Sequence, residues 1–393
     1  MRAFCSDPVK LLPVNILVAP DKFRGSLEAV EVCDAVTNGI RKAYPNAKVT
    51  AIPLADGGEG TSKILTQQAN GSEVTVTVMD PLNRPIKASY GLSEDYQVAF
   101  IEMAVASGLG LLNIEERNPL RTSTFGTGQL IVDALDRGVK KIILGIGGSA
   151  TTDGGIGMAE ALGYSFKDSE GHTLLPNGQS LEKIASIDKH NADPRLALVS
   201  VVVACDVTNP LFGKEGAAFV YGPQKGADPE MVVRLDQGLE NLAQVATRAF
   251  GWDVSLVPGA GAAGGLGAGC MWFLNAELKD GISIVMEQCK ISSLVEKADL
   301  VITGEGKVDD QTLAGKVVKG LAGLCKSHHV PLAVVCGTLQ ITPEQAKDAG
   351  MTYAVSVLNR PMDLNAAQSE AFKLVSDATF QLMRLFFFNR GVV

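Results

Sequence analysis

Apolar residues fall along this chain in two styles. Near both ends, short runs of aliphatic and β-branched residues alternate with stretches of helical period. The runs at 15–19, 48–54, 298–303, 331–336 and 352–357 have the length and composition of buried strands. Helical patterns follow at about 26–44, with Ser26 as a plausible N-cap, then to about 68, and over about 364–387. Strand, loop, helix, strand is the rhythm of a parallel sheet. The middle of the chain differs. Residues 73–78, 86–90 and 97–101 alternate apolar with polar, which predicts antiparallel or edge strands joined at Pro81-Leu82-Asn83 and Ser93-Glu94-Asp95. A helix at 126–137 leads into an apolar strand at 140–144, a second strong strand spans 196–205, and a helix spans 229–250. Residues 164–194 are irregular. The contrast predicts an α/β protein in which a doubly wound domain, residues 1–85 plus 275–393, is built from both ends of the chain. A second α/β domain, 86–274, is inserted in it.

The stretch that follows the 140–144 strand carries the densest chemistry. Gly145-Ile146-Gly147-Gly148-Ser149-Ala150-Thr151-Thr152-Asp153-Gly154-Gly155 joins that strand to a helix beginning near Gly157. Glycines at such a turn let backbone N–H groups approach an anion, and the helix start adds partial positive charge. Ser149, Thr151 and Thr152 bring hydroxyls. Asp153 could hold a divalent metal or take a proton. This suits a phosphorylated ligand, and a plain tight strand-to-helix turn would read the same way. A later run, residues 259–269, contains GxGxxG at Gly259, Gly261 and Gly264. No good strand precedes it, so a close-packed helix start is the better reading.

Composition narrows the function classes. Among 393 residues 46% are hydrophobic and 20% charged, enough for two large cores. The formal net charge of −8, with no Lys/Arg cluster, argues against nucleic acid as a partner. The seven cysteines are odd in number and form no CxxC pair, and the four histidines do not suggest a zinc site. No apolar run is long enough for a bilayer, and residues 1–14 do not read as a signal peptide. We therefore expect a cytoplasmic protein, monomer or homodimer, without a membrane partner.

Five strand-end loops place carboxylates beside Gly, Thr or Asn: Asp21, Asp56 with Glu59, Asp153, Asp206, and Glu305 with Asp309. Each alone reads as a cap or turn former. Together, with glycine turns and the lone cations Lys22, Arg24, Lys225, Lys307 and Lys316, they suit a Mg²⁺-assisted phosphoryl transfer. No P-loop, protein-kinase set or GxSxG elbow is present.

These segments are similar, in order and over nearly the whole chain from Asn15, to those of the bacterial two-domain glycerate kinases. The resemblance is carried by Ala19-Pro20-Asp21 with Gly25-Ser26, Ala55-Asp56-Gly57-Gly58-Glu59-Gly60-Thr61, the Gly145–Gly155 loop, Ala204-Cys205-Asp206-Val207-Thr208-Asn209-Pro210, Gly222-Pro223-Gln224-Lys225-Gly226-Ala227, the Gly259–Gly267 run and Thr303-Gly304-Glu305-Gly306. It implies a Rossmann-like domain with an inserted α/β domain, a cleft between them, and transfer of the ATP γ-phosphoryl group to D-glycerate to give 2-phosphoglycerate. The family's first loop usually reads Asp-Ser-Phe-Lys-Gly-Ser. Here Lys22 replaces a small hydroxyl residue and Arg24 replaces a lysine.

The candidate roles follow. Gly147, Gly148, Ser149 and Thr151, with Gly304 and Gly306, are expected to bind the nucleotide. Lys22, Arg24 and Lys225 are candidates for the substrate carboxylate or the transferred phosphoryl group. Asp206 or Asp56 is expected to orient the hydroxyl, and Asp153 or Glu305 to serve Mg²⁺. Two other readings stay open at this point. One is a nicotinamide-dependent dehydrogenase, from the GxGxxA-like run at 145–150 with Asp168 about twenty residues on. The other is a non-catalytic two-domain solute-binding protein.

Overall fold

The structure is a computed structural model, and it describes residues 14–388 except 56, 59 and 316. The strands, in chain order, are β1 (Asn15–Val18), β2 (Lys48–Ala51), β3 (Ser72–Met79), β4 (Pro85–Leu92), β5 (Val98–Glu102), β6 (Lys141–Gly145), β7 (Ser165–Lys167), β8 (Ser186–Asp188), β9 (Ser200–Ala204), β10 (Glu277–Lys279), β11 (Leu300–Val308), β12 (Leu332–Leu339) and β13 (Tyr353–Ser356). The chain divides into two compact units, an outer one of residues 1–56 and 285–393 and an inserted one of residues 57–284.

The outer unit carries a five-stranded sheet in the order β13-β12-β11-β1-β2, parallel throughout. From β1 the chain steps one way to β2; from β11 it steps the other way to β12 and β13. That reversal is the doubly wound pattern. Successive residues of β1 and β11 are buried alike, Ile16 with Leu17 and Val301 with Ile302, so both faces of the sheet are covered. One face is covered by the helices Ala29–Ala43 and Ala371–Phe388. Val32, Val36 and Ile40 of the first pack with Leu374, Met383 and Phe387 of the second. The first helix is capped by Glu28 and Glu31 rather than by Ser26, whose hydroxyl instead donates to the Phe23 carbonyl at 3.0 Å. The final helix expected at 364–387 is two helices, Leu364–Ser369 and Ala371–Phe388.

The inserted unit carries a six-stranded sheet in the order β10-β9-β6-β5-β4-β3. Its β5, β6, β9 and β10 are parallel, and β3 and β4 add an antiparallel edge. The domain boundaries expected from the sequence shift accordingly. Residues 57–85 and 275–284 lie in the inserted unit, because β3 pairs along its whole length with β4 and β10 pairs with β9. The core is filled from the helices Phe125–Asp136, Pro229–Phe250 and Ala262–Leu274, with Leu130, Leu239 and Leu266 fully buried. The irregular stretch at 164–194 holds a small antiparallel pair, β7 with β8, and a 3₁₀ turn at Gly178–Lys183. No helix among the described residues is long and apolar enough to cross a membrane.

Candidate active site

Strands β6 and β9 lie side by side, with Gly145 paired to Ala204. Both chains therefore leave the sheet at the same edge, one as the glycine loop and one as Cys205-Asp206-Val207. Between them opens a cavity of about 410 Å³, lined by Gly147, Gly148, Ser149, Asp206, Gln224 and Lys225 among others. Ligands in open α/β sheets bind at this end of the strands. The helix turn Pro223–Lys225 brings the lysine in from the far side.

Lys225 is the unusual member. It lines the cavity, yet it is only 1% exposed. Its Nζ donates to the Thr151 carbonyl at 2.6 Å. An ammonium has three donors, so its bond to the Thr151 carbonyl leaves capacity for an anion. Desolvation pulls its pKa down to about 7, against the opposing pull of the Asp153 carboxylate.

Asp153 behaves differently from the metal ligand expected of it. It is fully buried. One oxygen accepts the Thr124 N–H at 2.7 Å, the Thr124 hydroxyl at 2.8 Å and the Gly157 N–H at 3.3 Å; the other accepts the Gly155 N–H at 3.2 Å. Burial raises its pKa, and these bonds pull it back. Four donors on two oxygens leave no open side for a cation. Asp153 ties the glycine loop to the start of the helix Phe125–Asp136 and faces Lys225 electrostatically. Thr151 likewise sits behind the cavity wall. It is fully buried and contributes its carbonyl to Lys225, while its hydroxyl is buried without a hydrogen-bond partner among the described residues.

The GxGxxG run proves to be a packing device. Gly264 has φ +70, and a side chain on it would run into the carbonyl oxygen of Thr151. Its own carbonyl accepts the Gly154 N–H at 3.0 Å. One glycine loop thus supports the other, and Ala262 and Ala263 complete the cavity wall. The acidic residue of the dehydrogenase reading, Asp168, is occupied in a surface turn, where it accepts the Glu170 and His172 N–H groups at 2.9 Å.

Asp206 is exposed at the cavity, and its Oδ1 accepts the Gly281 N–H at 2.8 Å at the start of the helix Gly281–Gln288. Among the described residues no three His, Cys, Asp or Glu side chains gather as a metal cage. Asp56 and Glu59, expected beside Asp206, and Lys316 lie outside the described residues.

In the outer unit, Arg24 and Gly306 line a second cavity, while Lys22 does not. The turn expected at Gly304-Glu305-Gly306 is instead strand. β11 runs on to Val308, with Gly304 opposite Val335 and Glu305 opposite Cys336. A side chain at Gly304 would collide with the Val335 carbonyl, so this glycine serves strand packing, a correction to its nucleotide-binding assignment. Glu305 is buried in the same strand.

Sequence reasoning missed Tyr221, Gln224 and Leu109 in the first cavity. It also missed Glu102, whose Oε1 accepts the N–H groups of Gly60 and Ser62 at 3.1 and 2.8 Å and so fixes the start of the helix Thr61–Gln68. An acidic residue closing the apolar strand at 98–102 was the available signal.

Residues 16–387 match the glycerate kinase family. The chain belongs to that family. It is 46% identical over 364 residues to a glycerate kinase of Halalkalibacterium halodurans, covering 93% of this chain and 96% of that one. It is 44% identical over 366 residues to the glycerate 2-kinase of Escherichia coli K12, with the same coverage of each. A crystal structure from Salmonella typhimurium LT2, described as a glycerate kinase 2, superimposes with a TM-score of 0.89 at 43% identity, covering 96% of this chain and all of that one. This member of the glycerate kinase family is thus a phosphotransferase enzyme with ATP as donor, and nothing favours the dehydrogenase or solute-binding readings.

Proposed function

We propose that this glycerate kinase converts D-glycerate and ATP to 2-phosphoglycerate and ADP, and that the β6–β9 cavity holds the reacting anionic group. The observation that carries the site assignment is Lys225: a buried lysine that lines the cavity with Gly147 and Gly148, its Nζ donating to the Thr151 carbonyl. In the reaction the glycerate 2-hydroxyl oxygen forms a bond to the γ-phosphorus, the bond from that phosphorus to the bridging oxygen of ADP breaks, and the hydroxyl proton leaves. Asp206 accepts that proton or orients the hydroxyl. Gly147, Gly148 and Ser149 donate to the anion, and Lys225 balances the charge that spreads over the phosphoryl oxygens.

Mg²⁺ belongs to this proposal as an ion carried by the ATP phosphates. Mg²⁺ keeps several waters and needs only one or two protein carboxylates, which agrees with the lack of a preformed cage among the described residues. When bound it would neutralise phosphate charge. Asp153 does not fit as its ligand, because four donors occupy it. The six described cysteines are unpaired thiols, in keeping with a reducing, cytoplasmic setting.

The test is a coupled ADP-release assay with D-glycerate, followed by enolase without a phosphoglycerate mutase. Direct conversion of the product by enolase supports phosphorylation at the 2-position. A product that needs the mutase first, or no ADP release, overturns it. EDTA addition should abolish turnover and excess Mg²⁺ restore it.

A further inference from the structure

The glycine loop and the Asp206 loop form two walls of the β6–β9 cavity. A third wall is Gly57-Gly58, from the turn that precedes the helix Thr61–Gln68. Gly57 has φ +91, a left-handed backbone that suits glycine. Its missing side chain is also a packing requirement. A Cβ there would lie 2.6 Å from the Gly281 Cα and 3.3 Å from Asp206 Oδ2. The turn therefore sits directly beside the carboxylate given the acid–base role, and against the same Gly281 whose N–H that carboxylate accepts. A shift of this turn would change the surroundings of Asp206 on that side.

The anchor of the turn comes from another strand. The helix Thr61–Gln68 starts from Gly60, at φ +92, which has no side chain to accept the first N–H groups. Glu102, the last residue of β5, supplies the acceptor. Its Oε1 takes the N–H of Gly60 at 3.1 Å and that of Ser62 at 2.8 Å, and a negative charge is favourable at a helix start. The Ser62 hydroxyl donates to the Phe100 carbonyl at 2.6 Å, a second tie to β5. Thr61 passes the constraint on: its N–H and its hydroxyl donate to the Gly58 carbonyl at 3.2 and 2.6 Å. Glu102 is also paired with Gly145, at the root of the glycine loop. A Cβ on Gly145 would lie 3.6 Å from the Glu102 Cγ and 3.8 Å from the Gly57 carbonyl oxygen. The Glu102 stem and the Gly57 turn thus border one point of the sheet edge from which the cavity is built.

Glu102 itself stands outside the reacting cavity. It lines a separate one, of about 360 Å³, with Gly60 and Ser62. We propose that Glu102 is a positioning residue for phosphoryl transfer: it holds the Thr61–Gln68 helix start, and through it the Gly57-Gly58 wall, in the place that orients Asp206. The proposal rests on the β6–β9 cavity being the reaction site.

The experiment uses the full chain. Glu102→Ala removes the acceptor; Glu102→Gln removes the charge and keeps an oxygen able to accept both N–H groups. kcat, the KM values for ATP and D-glycerate and the thermal midpoint are measured for each, alone and combined with Asp206→Asn. Glu102→Ala is expected to lower kcat about a hundredfold, the cost of a misplaced group in a site, with both KM values within about threefold of wild type. Glu102→Gln is expected to keep kcat within about fivefold of wild type, because the acceptor remains. In the Asp206→Asn background Glu102→Ala should cost less than about threefold more, since the group it positions is already gone. A general structural defect would lower kcat by the same factor in both backgrounds. If Glu102→Ala does not fold, Glu102→Asp, which keeps the charge and shortens the arm by a methylene, is read in its place. Wild-type kcat in the shortened variant overturns the proposal, as does full additivity with Asp206→Asn or an equal loss in Glu102→Gln. If Asp206→Asn alone leaves kcat unchanged, the reading of the β6–β9 cavity falls. If it lowers kcat and the Glu102 variants do not, the positioning role alone falls.

Discussion

The loops that leave β6 and β9 start from a directly paired couple, Gly145 and Ala204, and carry one aspartate each, yet they use it in opposite ways. Asp153 is fully buried and receives four hydrogen bonds, three of them from backbone N–H groups. Asp206 is exposed at the cavity, and its Oδ1 receives the Gly281 N–H. A carboxylate enclosed by donors has its geometry fixed and its reactivity blocked. One that stands exposed at the cavity is within reach of a substrate. Burial among donors, not the residue type, separates a loop-holding aspartate from one that can meet the reacting group.

Substitutions can break that contrast. The largest effect is expected at Asp206→Asn, where kcat falls by about 10²–10⁴-fold for loss of an acid–base group, while the thermal midpoint stays put because Asn keeps an acceptor for Gly281. An unchanged kcat would erase the distinction between the two loops. Next is Lys225→Met, which removes a charge-assisted donor and keeps the volume. The KM for the anionic substrate should rise about tenfold to a hundredfold.

The same lysine sharpens the comparison through pH. With its pKa near 7, Lys225 is charged below that value and loses its proton above it. Anion binding needs the charged form, so kcat/KM should decline above pH 7 by up to about tenfold per unit, and Lys225→Met should lack that limb. Stability moves the other way. The unfolded lysine titrates near 10.5, so between about pH 7 and 10.5 the unfolded chain binds more protons, and the unfolding free energy rises with pH in that window. A stability curve flat across that window would argue that the ammonium is not desolvated.

The smallest catalytic effect is expected at Asp153→Asn. An amide in this nest sets NH₂ against a backbone N–H or hydroxyl donor, costing about 1–3 kcal/mol and several degrees in Tm. Turnover by the folded protein should stay within about twofold of wild type. Loss of activity with full stability would make Asp153 the reactive group after all.

Much of this was legible in the chain. The periodicity at about 229–250 gives the helix Pro229–Phe250, and the alternation at 73–78 lies within the antiparallel strand β3. These are properties of local pattern, which residue spacing records directly. What lies across from a residue is not local. Asp153 reads as a metal ligand until Thr124, far earlier in the chain, closes on it. Gly304 reads as a turn until β12 comes alongside. Lys225 reads as a candidate anion binder beside its glycine turn, yet nothing near it in sequence says that it will be buried against the Thr151 carbonyl. Asp206 and the glycines 147 and 148 were visible because a strand end fixes which way the following loop emerges.

The outer sheet joins β1 to β11, pairing Ile16 with Leu300. A ribosome must therefore release nearly three hundred further residues before β1 meets β11. Residues 57–284 can collapse on their own sheet while β1 and β2 have only each other. During that interval β1 carries a bare, aliphatic strand edge, a liability that a chaperone would cover.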